Sequence, residues 1–269
     1  MATVTSIDRL ERERRFHDAQ AANRAETFAR EPGRLCFRDE EYLDHEPWVR
    51  PAMDALGNLA GRTALDWGCG HGMAAVVMAR RGATVSACDL SAEYTRESSR
   101  RALANGATVR CLQADAHRLP FANESFDAVW GHAILHHLDI ASAARELRRV
   151  MKPTGIAVLC EPWDGNPLIR LVRRCRWPGG KAHTNDERPI GEPDINTLRA
   201  SFDSVEVQGF QLLSILHSAA PRTPGRQWAL DGDARLLNRW PSLQLLGRYV
   251  VVTLRRSGQA LSQRSAAVT

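Results

Sequence analysis

The sequence predicts an α/β fold: a mostly parallel, Rossmann-like sheet with helices on both faces. Three observations predict it. From about Arg62 to Glu161, short β-branched apolar runs alternate with Ala-rich amphipathic segments. The first run ends in a glycine-rich turn that leads into a helix, and the second ends in an acid.

The elements follow in order. Residues 1–60 precede the repeat and form an N-terminal helical cap, with Ile7, Leu10 and Phe16 offering an apolar side amid Arg and Glu and a second helical stretch between Tyr42 and Leu59. The domain proper spans 61–256. Its candidate strands are Thr63–Asp66, Thr84–Asp89, Thr108–Leu112, Phe126–Trp130 and Ile156–Glu161. Between the last two, Ile140, Ala144, Leu147 and Met151 recur at helical spacing behind Asp139, an N-cap residue. Lys152-Pro153-Thr154-Gly155 reads as the turn that stops this helix. The rhythm then breaks over 162–193, a lid-like insertion carrying Trp163, Arg170, Arg173, Arg174, Trp177 and Lys181, with a helix start at Asn166-Pro167. Val205–Phe210 and Tyr249–Leu254 are two further strands, and the Ser/Gln/Ala-rich 257–269 reads as a disordered tail.

Composition narrows the function classes. The 36 basic residues stand against 31 acidic ones spread along the chain, so the net charge of +5 is a mild surface bias rather than a nucleic-acid footprint. Six cysteines lie without a C-x-x-C pair or a Cys/His cluster, which argues against a metal site; Cys88, Cys111 and Cys160 fall inside strands as small hydrophobes. No stretch approaches the ~18 apolar residues of a membrane span. The expectation is a cytoplasmic protein without membrane partners.

The strongest chemical signal is Ala64-Leu65-Asp66-Trp67-Gly68-Cys69-Gly70-His71-Gly72, where the first strand turns into a helix over about Met73 to Arg81. Glycines there let backbone approach a ligand, and the helix N-terminus favours a carboxylate or other anion. Asp89 ends the second strand, where a carboxylate can accept hydrogen bonds from two ribose hydroxyls. Together they indicate an adenosine-containing ligand. A dinucleotide fits less well, because Met73 stands where G-x-G-x-x-G needs its third glycine and Asp66 would repel a pyrophosphate.

At these residues the chain resembles the class I S-adenosylmethionine-dependent methyltransferases. The likeness covers about residues 60–163: Leu65 to Gly72 resembles the family's first motif, and Ala87-Cys88-Asp89-Leu90-Ser91 its second. Gln113-Ala114-Asp115-Ala116 with Leu119-Pro120-Phe121 is similar to the adenine-holding segment, Ser125 to Val129 to the fourth strand, and Leu147 to Gly155 to the helix and turn before the fifth. The resemblance implies a seven-stranded sheet whose last strand is antiparallel, and S-adenosyl-L-methionine as cofactor. It implies that Asp66, Gly68 and Gly70 line the methionine end, joined by His132 through its backbone, and that Asp89 binds the ribose. Leu90, Asp115 and Ala116 would hold the adenine.

The chemistry would then be methyl transfer to an O or N atom of a small molecule, such as a secondary metabolite or a quinone-like compound. His136, His137 and Glu161 are the candidate bases, at the strand ends that face the ligand. One histidine could equally be a hydrogen-bonded helix residue, and an activated methyl donor can react without any base. Gly131-His132-Ala133-Ile134 stands where DNA amino-methyltransferases carry an Asn/Asp-Pro-Pro-aromatic motif, so DNA is not an expected partner. Trp163 and Trp177 are candidate walls of an apolar acceptor site; Arg170, Arg173 and Arg174 either meet an acidic group or form a solvated face. RNA or protein methylation, and a fold that only binds its cofactor, remain alternatives.

Overall fold

The computed structural model describes residues 6–167, 169–170, 188–212, 214 and 226–256. Within them one sheet holds β1 Thr63–Trp67, β2 Thr84–Asp89, β3 Val109–Gln113, β4 Phe126–His132, β5 Met151–Pro162, β6 Ser204–Phe210 and β7 Tyr249–Arg255. The order is β3-β2-β1-β4-β5-β7-β6, with β7 antiparallel to both β5 and β6. The chain starts at the centre, winds outward to β3, then returns to β4 and winds the other way. The carboxyl ends of β1 and β4 therefore flank the point where a doubly wound sheet opens a crevice.

The helices are α1 Ser6–Arg30, α2 Asp39–Leu43, α3 Val49–Ala55, α4 Met73–Arg80, α5 Ala92–Ala104, α6 Ile140–Val150, α7 Glu192–Ser201 and α8 Arg226–Arg239. Alternation along the strands splits the core into two layers. On one face Ala64, Ala87, Ala128, Trp130 and Val158 pack against Val49 and Met53 of α3 and Val76 and Met78 of α4. On the other, Leu65, Trp67, Val129, Leu159 and Val252 pack against Leu147 of α6 and Ile195 and Leu198 of α7. Each Val, Leu, Ile or Met among them contributes about 1.5–3 kcal/mol by leaving water.

The N-terminal cap is fastened differently. Helix α1 lies along α5 through polar contacts: Arg24 donates to Glu97 at 3.0 Å, the Ser91 hydroxyl to Asp18 at 2.5 Å and the Tyr94 hydroxyl to Gln20 at 3.0 Å. Glu97 is the hub, receiving His71 and Arg101 as well. Burial pushes its carboxyl up, yet His71 and Arg24 outweigh that and hold it at about 2.

The expected strands recur with ends shifted by one or two residues, except β5. Asp139 caps α6 as expected, accepting from Ser142 N at 2.9 Å. Lys152-Pro153-Thr154-Gly155 is not a turn, however. β5 begins at Met151, directly after α6, and its pairing with β4 jumps from Phe126↔Met151 to Ala128↔Ile156. The surplus residues form a bulge, tight enough that a Cβ on Gly155 would meet Lys152 O at 2.9 Å.

Trp163 is also corrected: it is 2% exposed in the second core layer, and its indole N–H donates to Leu245 O, so among the described residues it packs the fold. The backbone turns helical at Pro167, with Asn166 Oδ1 accepting from Ile169 N, and Arg170 pairs with Asp164. Arg173, Arg174, Trp177, Lys181, most of the 162–193 insertion and the 257–269 tail lie outside the described residues. Cys88 and Cys160 are buried as expected, and Cys111 half so. No described helix is long and apolar enough to cross a membrane, and no described Cys, His, Asp and Glu residues cluster as a metal site.

Candidate functional site

The first wall of the site is the turn after β1. Gly68, Gly70 and Gly72 hold φ of +74°, +46° and +74°, a region costly for other residues. Gly68 N and Cys69 N both donate to Cys88 O at 2.9 Å, tying the turn to the end of β2. There Asp89 accepts from Gly70 N through one oxygen and from Ser91 N through the other, each at 2.9 Å. Burial pushes the Asp89 carboxyl up and these two amides pull against it. Asp66, 2% exposed, accepts from Ala75 N at 3.0 Å. Burial drives its carboxyl up to about 7; the amide opposes this and the nearby Asp89 adds to it.

The second wall is the loop after β4. Ala133 takes a φ of +57°, unusual for a residue with a side chain, and its N–H donates to Cys160 O at 2.8 Å. Glu161, fully buried at the end of β5, accepts from Ile134 N at 2.9 Å and Leu135 N at 2.8 Å, and its other oxygen lies 2.8 Å from His136 Nδ1. Glu161 thus shapes the loop from beneath and fixes the His136 ring. His137 points the other way, with Nδ1 3.8 Å from Glu13 Oε1 and its ring edge-on to His17 of α1 at 5.6 Å. Burial, helped by His45, lowers His132 to about 4, so it is neutral.

Between the walls lies a cavity of two lobes. One, of about 300 Å³, is lined by Gly68, Asp89, Leu90, Asp115, Ala116 and His137, and by Leu10, Glu13 and His17 of α1. The other, of about 450 Å³, is lined by Asp66, Gly68, Cys69, Trp130 and His132, and by Glu41, Tyr42 and His45 at α2. Gly70, His71 and His132 border both. The structure therefore gathers Asp66, Gly68, Gly70, Asp89, Leu90, Asp115, Ala116 and His132 around one space. Asp115 caps its own turn, its Oδ1 accepting from His117 N at 2.9 Å and lying 2.8 Å from His117 Nδ1.

The three candidate bases are divided. His137 lines the first lobe. His136 opens instead on a separate hollow of about 370 Å³ beside Arg188, Asp194 and Thr197, and Glu161 lines none of these spaces. The N-terminal helical cap expected from the sequence supplies Leu10, Glu13 and His17 of α1, Tyr42 of α2 and His45 just beyond it, none of which the sequence singled out for the site. The one signal for them is Tyr42 and His45 three apart in a charge-rich stretch, a weak one.

Residues 65–159 match the family model of a methyltransferase domain. The chain is 38% identical over 128 residues to a demethylmenaquinone methyltransferase of Clavibacter sepedonicus, covering 47% of this chain and 51% of that protein. It is 38% identical over 134 residues to one of Thermobifida fusca, covering 48% and 56%. The chain thus spans about half the length of these relatives. In fold it is similar to an S-adenosylmethionine-dependent methyltransferase of Mesorhizobium loti, with a TM-score of 0.56 and 20% identity over 80% of this chain and all of that one.

Proposed function

We propose that the chain, whose residues 65–159 match the family model of a methyltransferase domain, transfers the methyl group of S-adenosyl-L-methionine to an O or N atom of a small molecule. The observation that carries the reading is the pair of carboxylates facing one cavity, Asp66 buried and Asp89 half-buried. Each Asp89 oxygen has one backbone amide as partner and keeps a lone pair, enough for two ribose hydroxyls. Beside it Gly70 leaves open space where any Cβ would stand. Asp66 has a single amide donor and is undercompensated, which suits the ammonium of the methionine end. Leu90, Asp115 and Ala116 supply an apolar wall, an acceptor and a backbone donor for the adenine. These residues fit the cofactor, which supplies an activated, cationic methyl donor when bound.

The protein then has to exclude water, align the acceptor and receive a proton where the acceptor is a hydroxyl or an amine. α1 contributes Leu10 and His17 to the cavity wall, and α2 with the residues just after it contributes Tyr42 and His45. His137 is the base placed at the cavity. His136 can take a proton only at Nε2, since its Nδ1 faces Glu161, which acts through it as a positioning residue. Relatives bearing the name demethylmenaquinone methyltransferase support a quinone-like acceptor.

Isothermal titration calorimetry tests the cofactor, with S-adenosylmethionine, S-adenosylhomocysteine and NAD against the wild type and Asp89→Ala. Binding of both sulfur ligands, lost in the variant and absent for NAD, is the expected result. Transfer of labelled methyl to RNA or protein rather than to a small molecule would overturn the acceptor assignment.

A further inference from the structure

The lobe that takes the methionine end has an unbalanced wall. Its ionisable groups include Glu41 on α2, Asp66 on β1, His71 in the glycine turn, His132 on β4 and His45 between α2 and α3; among the described residues, no Lys or Arg lines either lobe. The amino-acid end of S-adenosylmethionine carries an ammonium and a carboxylate. Asp66 serves the ammonium, and Glu41, whose carboxylate is paired with Arg38 at 3.3 Å, offers the cofactor carboxylate no donor, so that group needs one that can become cationic.

The three imidazoles are not equivalent. His132 is deep in the lobe and neutral, and His71 directs its Nδ1 at Glu97 at 2.9 Å. His45 stands at the exposed mouth, where an imidazolium keeps part of its hydration. Its Nδ1 lies 2.5 Å from Tyr42 O, a carbonyl that only accepts, so Nδ1 carries a proton. That bond and stacking on the Tyr42 ring, 5.5 Å between centroids and 28° between planes, fix the imidazole and leave Nε2 without a hydrogen-bond partner among the described residues. With Nδ1 already protonated, Nε2 becomes a donor only in the cationic ring.

We infer that His45 binds the α-carboxylate of the cofactor through Nε2 as an imidazolium, in the lobe that Asp66 also lines, making the segment between α2 and α3 part of the cofactor site. This rests on the reading of the cavity as an S-adenosylmethionine site. His45 then discriminates a cofactor with a carboxylate from one without it.

Decarboxylated S-adenosylmethionine, which keeps the sulfonium and the amine, separates the two ideas. Calorimetric titration at pH 6.5 of the full chain, wild type and His45→Ala, with each ligand gives a four-point cycle. The substitution is expected to weaken S-adenosylmethionine by about tenfold, the size of one charge-assisted hydrogen bond, and the decarboxylated ligand by less than about twofold. Equal losses for both ligands would make His45 a packing residue and overturn the inference, as would no change in either. If the wild type binds neither ligand while its circular dichroism shows a folded protein, the cofactor reading itself fails and takes the inference with it.

Discussion

The loops after β1 and β4 wall the same cavity and keep their shapes by opposite means. The β1 loop is shaped by what its residues lack: three glycines at positive φ, with backbone amides reaching Cys88 O and Asp89. The β4 loop is shaped by a side chain from elsewhere, the buried Glu161 carboxylate, which gathers two amides and an imidazole from 25 to 27 residues away. The two also interlock, since a Cβ on Gly68 would stand 2.6 Å from Ile134 Cδ1. The comparison teaches that one wall is written locally in the sequence and the other only in the folded chain.

Breaking the borrowed support should do the most damage. Glu161→Ala leaves two buried amides and His136 without their acceptor and is expected to cost about 3–5 kcal/mol in urea unfolding. Glu161→Gln keeps an acceptor oxygen and should lose less. Gly68→Ala attacks the other wall, both by φ and by collision with Ile134, at about 2–3 kcal/mol. Adding Ile134→Ala should recover part of this; simple additivity in the double-mutant cycle would show that the walls do not interlock.

Asp66 sharpens the contrast through pH. Its folded value of about 7 lies above the unfolded 3.8, so the unfolded chain gives up this proton first and stability falls as pH rises between the two. Asp66→Asn should abolish that decline and be more stable than the wild type at pH 8 by about 2–4 kcal/mol, while binding S-adenosylmethionine less tightly. A wild type and variant with parallel urea midpoints from pH 5 to 8 would contradict the assigned burial cost. Asp139→Ala, at the cap of α6 just beyond the β4 loop, should cost only about 1 kcal/mol and leave cofactor binding unchanged.

Legibility followed the same division. β1 to β4, the Asp139 cap, the glycine turn and Asp89 were readable because each rests on local chemistry: periodicity, a capping side chain, positive φ, an acid at a strand end. The bulge at Lys152 to Gly155 was not, since Pro and Gly signal a break without saying whether the chain turns or only kinks. Trp163 was misplaced because an aromatic in an insertion looks the same whether it faces ligand or core; Leu245, 82 residues on, decides it. Glu161 was recognised as important, but its partnership with the β4 loop, like the arrival of His17 and His45 at the cavity, depends on how separate elements pack.

Gly72 shows how such packing constrains the sequence itself. A Cβ there would lie 2.2 Å from Ser98 Oγ and 2.7 Å from Ser98 Cα. The last glycine of the motif thus serves the close approach of α5, and it is not among the residues lining either lobe of the cavity. Shrinking Ser98 to glycine would clear the hydroxyl but not the backbone, so no single compensating change reopens position 72. Evolutionary drift at this site is closed from two sides, by backbone conformation and by a neighbouring helix, and a glycine there would persist even in a descendant that had given up its ligand.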